Sequence, residues 1–138
     1  MNKLTSGIIA GLVATIVLSV MMVAKGMMGV MPGLNVIHML AGMIGASAIV
    51  GWLMHFMVGI GYGVAFSQIN ALLPGNFVVK GIIIGILGWL VMMVMLMPIM
   101  GAGMFAMKMG MMAPVMTLVL HLIFGAVLGL VYKKLQSN

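Results

Sequence analysis

From Leu4 to Ala24 the chain runs for 21 residues without a charge or a proline. At a rise of about 1.5 Å per residue, a helix of that length crosses a hydrocarbon core of about 30 Å. A cleaved signal sequence would have an apolar core of about 7 to 15 residues followed by a polar mature chain. Here the apolar character simply continues. With 65% hydrophobic and 4% charged residues, the chain has too little polar surface to cover a water-soluble domain, so its solvent must be lipid. Three more runs follow the first, giving spans at about 4–30, 44–69, 81–100 and 114–132. Pro32-Gly33 closes the first segment, and Asn35 to Met43 reads as a short connection lying in the membrane interface. Pro74-Gly75-Asn76 marks a turn between antiparallel spans. Pro98 removes a hydrogen bond to the carbonyl of Val94 and should loosen the end of the third span. Residues 101–113 form a Gly/Met loop, and Pro114 suits the first turn of the fourth helix. The expected fold is all-α: one polytopic membrane domain over 1–138, folded as a four-transmembrane-helix bundle.

The spans are not independent. His55, Gly59, Gly63 and Phe66 repeat as His121, Gly125, Gly129 and Tyr132, the pattern His-x3-Gly-x3-Gly-x2-aromatic at an offset of 66 residues. Gly7 and Gly11 in the first span are echoed by Gly81 and Gly85 in the third. This spacing predicts a tandem duplication of a two-span hairpin, repeat 1 over about 1–70 and repeat 2 over about 75–138. The repeats would be parallel, related by a pseudo-twofold axis along the membrane normal, with His55 and His121 at equal depth. Small residues four apart open a groove on a helix face and allow close backbone contact, so Gly7, Gly11, Gly59, Gly63, Gly81, Gly85, Gly125 and Gly129 are expected at helix packing interfaces.

There are six Lys and no Asp or Glu, a formal charge of +6. Every counter-charge must therefore come from outside the chain. The candidates are anionic headgroups, a bound anion, or a partner membrane subunit carrying acidic residues. Lys3, Lys80, Lys133 and Lys134 lie at one end of a four-span topology, against Lys25 and Lys108 at the other. The positive-inside rule then places both termini in the cytoplasm.

The phrases VGWLMHF, LPG, GILGWLVMMVMLMP followed by GAGMF, and TLVLHLIFGAVLGLVY resemble a family of small uncharacterised bacterial four-span membrane proteins, over nearly the whole length. The resemblance implies this fold and a bacterial inner membrane; it implies no activity.

Three features could carry chemistry. An ionisable side chain at membrane depth is a functional candidate by default, and the neutral imidazoles of His55 and His121 could hold Cu(I) or ligate a haem b; the ordinary role is interhelical hydrogen bonding. All methionines except Met1 fall in 21–57 and 92–116, the outer ends of the spans and the outer loops. Thioethers are soft ligands that select Cu(I), which makes Met54, Met57, Met93, Met97, Met100, Met104 and Met116 candidates beside the histidines; otherwise Met is a flexible gap-filler. Copper ranks above haem because glycine-mediated packing should leave no porphyrin slot between the second and fourth helices. Lys25 and Lys108 could meet an anion or a partner carboxylate, against simple snorkelling to headgroups.

Without acids there is no carboxylate for a proton relay, ion coupling or general acid–base work. Without cysteine there is no thiolate metal site. The expectation is thus a non-enzymatic membrane protein with no nucleic-acid partner. It would be an accessory or structural subunit of an inner-membrane assembly, or a homo-oligomer, with copper handling at the outer side as the alternative.

Overall fold

The computed structural model describes residues 1–137, and among them there is no strand. Four stretches are long and apolar enough to cross a membrane: Lys3–Met27, Ala48–Leu72, Phe77–Ile99 and Met112–Gln136. The chain is an all-helical, multi-pass membrane protein whose apolar outer faces suit a bilayer.

Helix α1 (Lys3–Met27) starts where Asn2 caps it, the side-chain oxygen accepting from Thr5 N–H at 2.8 Å. It ends three residues before position 30, ahead of Gly29, whose backbone is left-handed. The connection that follows contains a true helix, α2 (Val36–Met43), capped by Asn35 and stopped before Gly45, again left-handed. This helix buries Ile37, Leu40 and Ala41 and packs on α3 (Ala48–Ile69). A short 3-10 turn, Asn70–Leu72, completes the second crossing.

Helix α4 (Phe77–Val91) begins four residues earlier than hydropathy suggests. Asn76 receives the N–H groups of both Val78 and Val79, and Lys80 is carried into the helix to lie over the Phe77 ring, 5.5 Å from its centre. From Met92 to Leu96 the helix widens to π geometry before the single turn α5 (Met97–Ile99). The cause is Pro98: it has no N–H for the carbonyl of Val94, and the lost bond is absorbed as a π-bulge. Residues 104–109 form a 3-10 segment in which Phe105 and Ala106 adopt left-handed backbone, flanked by Gly103 and Gly110. Helix α6 (Met112–Gln136) takes Pro114 in its first turn and runs beyond Tyr132. Lys133 and Lys134 occupy its last turn, where positive charge suits the negative end of the helix dipole.

The helices pair through their glycines. A Cβ on Gly7 would stand 2.5 Å from Gly63 O, and one on Gly11 2.6 Å from Gly59 O, so α1 and α3 touch backbone to backbone. Gly81, Gly85, Gly125 and Gly129 do the same between α4 and α6, where Gly81 meets the carbonyl of Gly125 and Gly85 that of His121. The second pair sits one turn out of step with the first, since the sequence match aligns Gly63 with Gly129 and not with Gly125. The repeated aromatics Phe66 and Tyr132 meet edge to face, 5.1 Å between centres, in the core.

A strict twofold would make the α1–α6 and α4–α3 faces equivalent. They are not: α1 packs along α6, whereas α3 and α4, consecutive in the chain, barely touch. One core of Ala10, Ala14, Leu18, Phe66, Ile84, Leu120, Phe124, Leu128 and Tyr132 fills the bundle towards the end that carries the termini. A second, of Met92, Met93, Met97, Ala102, Ala106 and Ala113, closes the opposite end. The space between α3 and α4 is left open.

Candidate functional site

Where α3 and α4 part, a cleft of about 500 Å³ enters the bundle. Thr15, Leu18 and Met22 of α1 form part of its wall, with Leu120, His121 and Phe124 of α6. Met54, His55 and Tyr62 of α3 and Gly88, Met92 and Met95 of the α4 segment flank it. Val36, Leu40 and Met43 of α2 cover the end away from the termini. Val58, Val91 and Met95 line the cleft and are also exposed on the bundle's outer face, so the mouth opens sideways, towards lipid. Tyr62 bridges what gap remains: its ring lies over Gly88, where an added Cβ would come within 2.9 Å of Cζ, and meets Phe124 edge to face, 6.1 Å between centres. The π-bulge supplies Met92 and Met95 to the wall.

Both histidines line this cleft, and their hydrogen bonds decide which ring nitrogen is free. Ser19 donates its only hydroxyl proton to Thr15 O at 2.7 Å, so its oxygen must accept from His55 Nε2–H at 3.2 Å. His121 has Nδ1 2.8 Å from Thr117 O, a carbonyl that can only accept. As neutral rings, His55 is therefore the Nε2–H tautomer with a lone pair on Nδ1, and His121 the Nδ1–H tautomer with a lone pair on Nε2. Neighbours hold each ring in place. Thr15 packs so closely on Gly59 that any Cβ there would overlap its hydroxyl, and Trp52 meets the His55 ring edge-on at 5.9 Å. Thr117 donates to Ala113 O at 2.7 Å and accepts, as does Pro114 O, from Trp89 Nε1–H at 3.1 Å.

The methionines divide. Met54 lines the cleft with the histidines. Met93 and Met97 are fully buried in the second core, Met57 and Met104 project from the surface, and Met100 and Met116 are half-buried outside the cleft. Among the described residues no three His, Cys, Asp or Glu side chains cluster. The cleft does not lie between the second and fourth spans, where no porphyrin slot is expected, but between the second and third. The glycines do bring backbones together, but within each pair, α1 with α3 and α4 with α6. The slot lies between the pairs.

Lys25 lines the cleft near its α2-covered end, and its three Nζ protons go to the carbonyls of Val30, Met31 and Leu34 at 3.0–3.1 Å. It ties the α1–α2 connection to the end of α1. Lys108 is exposed on the 3-10 segment. Sequence reasoning missed Tyr62, Thr15, Ser19 and Thr117. The signal was there, since these are hydroxyls within otherwise apolar runs.

No curated protein matches the chain, and no solved structure does. Residues 1–138 match the model of DUF6789, and the chain belongs to that family, one of unknown function.

Proposed function

We propose that this is a non-enzymatic membrane protein that binds a lipid-soluble small molecule in the cleft between α3 and α4. The observation that carries the reading is the coincidence of both intramembrane histidines with one laterally open, almost wholly apolar cavity. Its volume of about 500 Å³ belongs to the range of small-molecule sites, about 300–1,000 Å³, and is far larger than a single metal ion needs. The test is to purify the protein in mild detergent, extract it with organic solvent and identify what is released. A small molecule near one equivalent, lost when Gly88→Leu fills the cleft, supports the reading. Nothing above the detergent and bulk-lipid background would sink it.

The lysines favour a second reading, compatible with the first: an accessory subunit of a bacterial inner-membrane assembly, termini in the cytoplasm, docked on a partner with acidic residues. No lysine has an acid within the chain. Co-purification of a stoichiometric acidic membrane partner would support it, and a lone monomer would count against it. Copper held by His55, His121 and Met54, ahead of haem b, is the metal version of the cleft reading; metal analysis and an optical spectrum of the same preparation test it. The paired glycine interfaces and the meeting of Phe66 with Tyr132 support descent from a duplicated hairpin.

A further inference from the structure

The cleft has an imbalance of hydrogen-bonding groups, and the imbalance specifies a ligand. Thr15 gives its proton to Gly11 O at 2.7 Å, and Thr117 gives its own to Ala113 O. Both histidine N–H groups are likewise spent, on Ser19 Oγ and Thr117 O. What these residues retain is lone pairs: Nδ1 of His55, Nε2 of His121 and the outer face of Thr15 Oγ1. Against these acceptors stands one donor, Tyr62 Oη, whose hydroxyl makes no side-chain hydrogen bond among the described residues. The only cationic group lining the cleft, Lys25, has its three protons on backbone carbonyls.

An acceptor-rich pocket whose one lysine is spent on backbone carbonyls selects a ligand that donates. Esters, ketones and quinones offer only acceptors, which would face the lone pairs unpaired. A phosphate headgroup would bring charge into an apolar cavity without a free cation, at heavy desolvation cost. Resting on the cleft reading above, we infer that the ligand is a neutral lipid whose head carries hydroxyl groups, an alcohol or a hydroquinone. It donates to His55 and His121 while its tail leaves through the α3–α4 mouth. Two acceptors on two helices suit a head with two hydroxyls on one rigid ring.

The experiment compares a hydroquinone bearing a ten-carbon tail with its dimethyl ether and with the corresponding quinone. Each is titrated anaerobically into the purified protein in detergent micelles and followed by calorimetry. The three share ring and tail and differ in donors. The expected result is hydroquinone binding about tenfold tighter than either analogue, the size of one hydrogen bond to a buried partner. His55→Ala and His121→Ala should each shrink that preference several-fold, and Tyr62→Phe, which removes the one donor a quinone carbonyl could meet, should widen it. The ligand comparison on the unaltered protein stands even where a histidine variant fails to fold. Equal binding of all three, or binding of none, overturns the donor inference; the cleft reading stands or falls with the solvent extraction. Tighter binding of the quinone, or histidine-dependent uptake of Cu(I) or haem with no response to the hydroquinone, overturns the inference as well.

Discussion

Ser19 is a small residue at a decisive place. It accepts from His55 and donates to its own helix, so Ser19→Ala removes the one hydrogen-bond partner that, among the described residues, holds the His55 tautomer. An intramembrane hydrogen bond of this kind contributes about 1 kcal/mol. The variant should therefore melt a few degrees lower in detergent, as followed by circular dichroism, while keeping its helix content. An unchanged melting temperature would mean that His55 is held by Trp52 and Phe56 alone, whose rings lie 5.9 and 5.8 Å from it. Lys25 makes a different case. Lys25→Met leaves three carbonyls without their donor, yet these sit in the α1–α2 connection and not in the bundle core. The expected effect is local: amide exchange over residues 28–35 should speed up by an order of magnitude or more, with global melting nearly unchanged. Exchange that stays slow there would show that the connection is held by α2 packing instead.

At the level of helices, the glycines provide their own control. Gly63 and Gly125 face backbone across a helix pair, where a side chain has no room, while Gly26 and Gly61 have nothing within reach of an added Cβ. Gly63→Leu or Gly125→Leu should cost at least about 1–3 kcal/mol through overpacking and drive the chain out of its folded form in denaturant titrations; Gly26→Leu and Gly61→Leu should be tolerated. Similar losses at all four positions would refute backbone contact as the reason. The π-bulge is testable as well. Pro98→Ala returns the missing N–H, should let Met92–Leu96 relax to α geometry, and turns Met92 and Met95 away from the cleft. Weaker ligand uptake with unchanged or higher thermal stability is the outcome expected. Much of this was legible beforehand. The hydropathy of four runs gave the crossings, and glycines at four-residue spacing gave the contact faces, because both signals are local and periodic. Helix α2 was not legible as a helix, since eight residues without an acidic start carry little pattern beyond the Asn35 cap. Nor was the division of the methionines: Met93 and Met97 look like Met54 in sequence, and only the bulge and the left-handed Phe105–Ala106 step place them in a different core. The cleft was invisible for a deeper reason. It exists because α3 and α4 do not pack, and an apolar face reads the same whether it meets a helix, a ligand or lipid.

For the molecule as a whole, the four crossings put both termini and the 70–76 turn at one end, with α2 and the 3-10 segment at the other. The chain has no cysteine, so single cysteines report sidedness directly. Cysteines at Gly75 and Ser137 should react with an impermeant maleimide from one face of sealed vesicles, and one at Lys108 from the opposite face. Labelling of Gly75 and Lys108 positions from the same side would break the four-span topology. Three of the bundle's four lateral interfaces are closed: α1 on α3 and α4 on α6 by glycine contact, and α1 along α6. The fourth is an unsealed seam wedged by Tyr62. Mechanically this is two stiff leaves joined along a spine, and the soft degree of freedom of such a body is the angle between the leaves. Bilayer lateral pressure acts on that angle. If the cleft takes a ligand as proposed, membranes that press the leaves together should narrow the mouth, and the acyl-chain composition around the protein should then set how readily the cleft fills, before any ligand has touched a side chain.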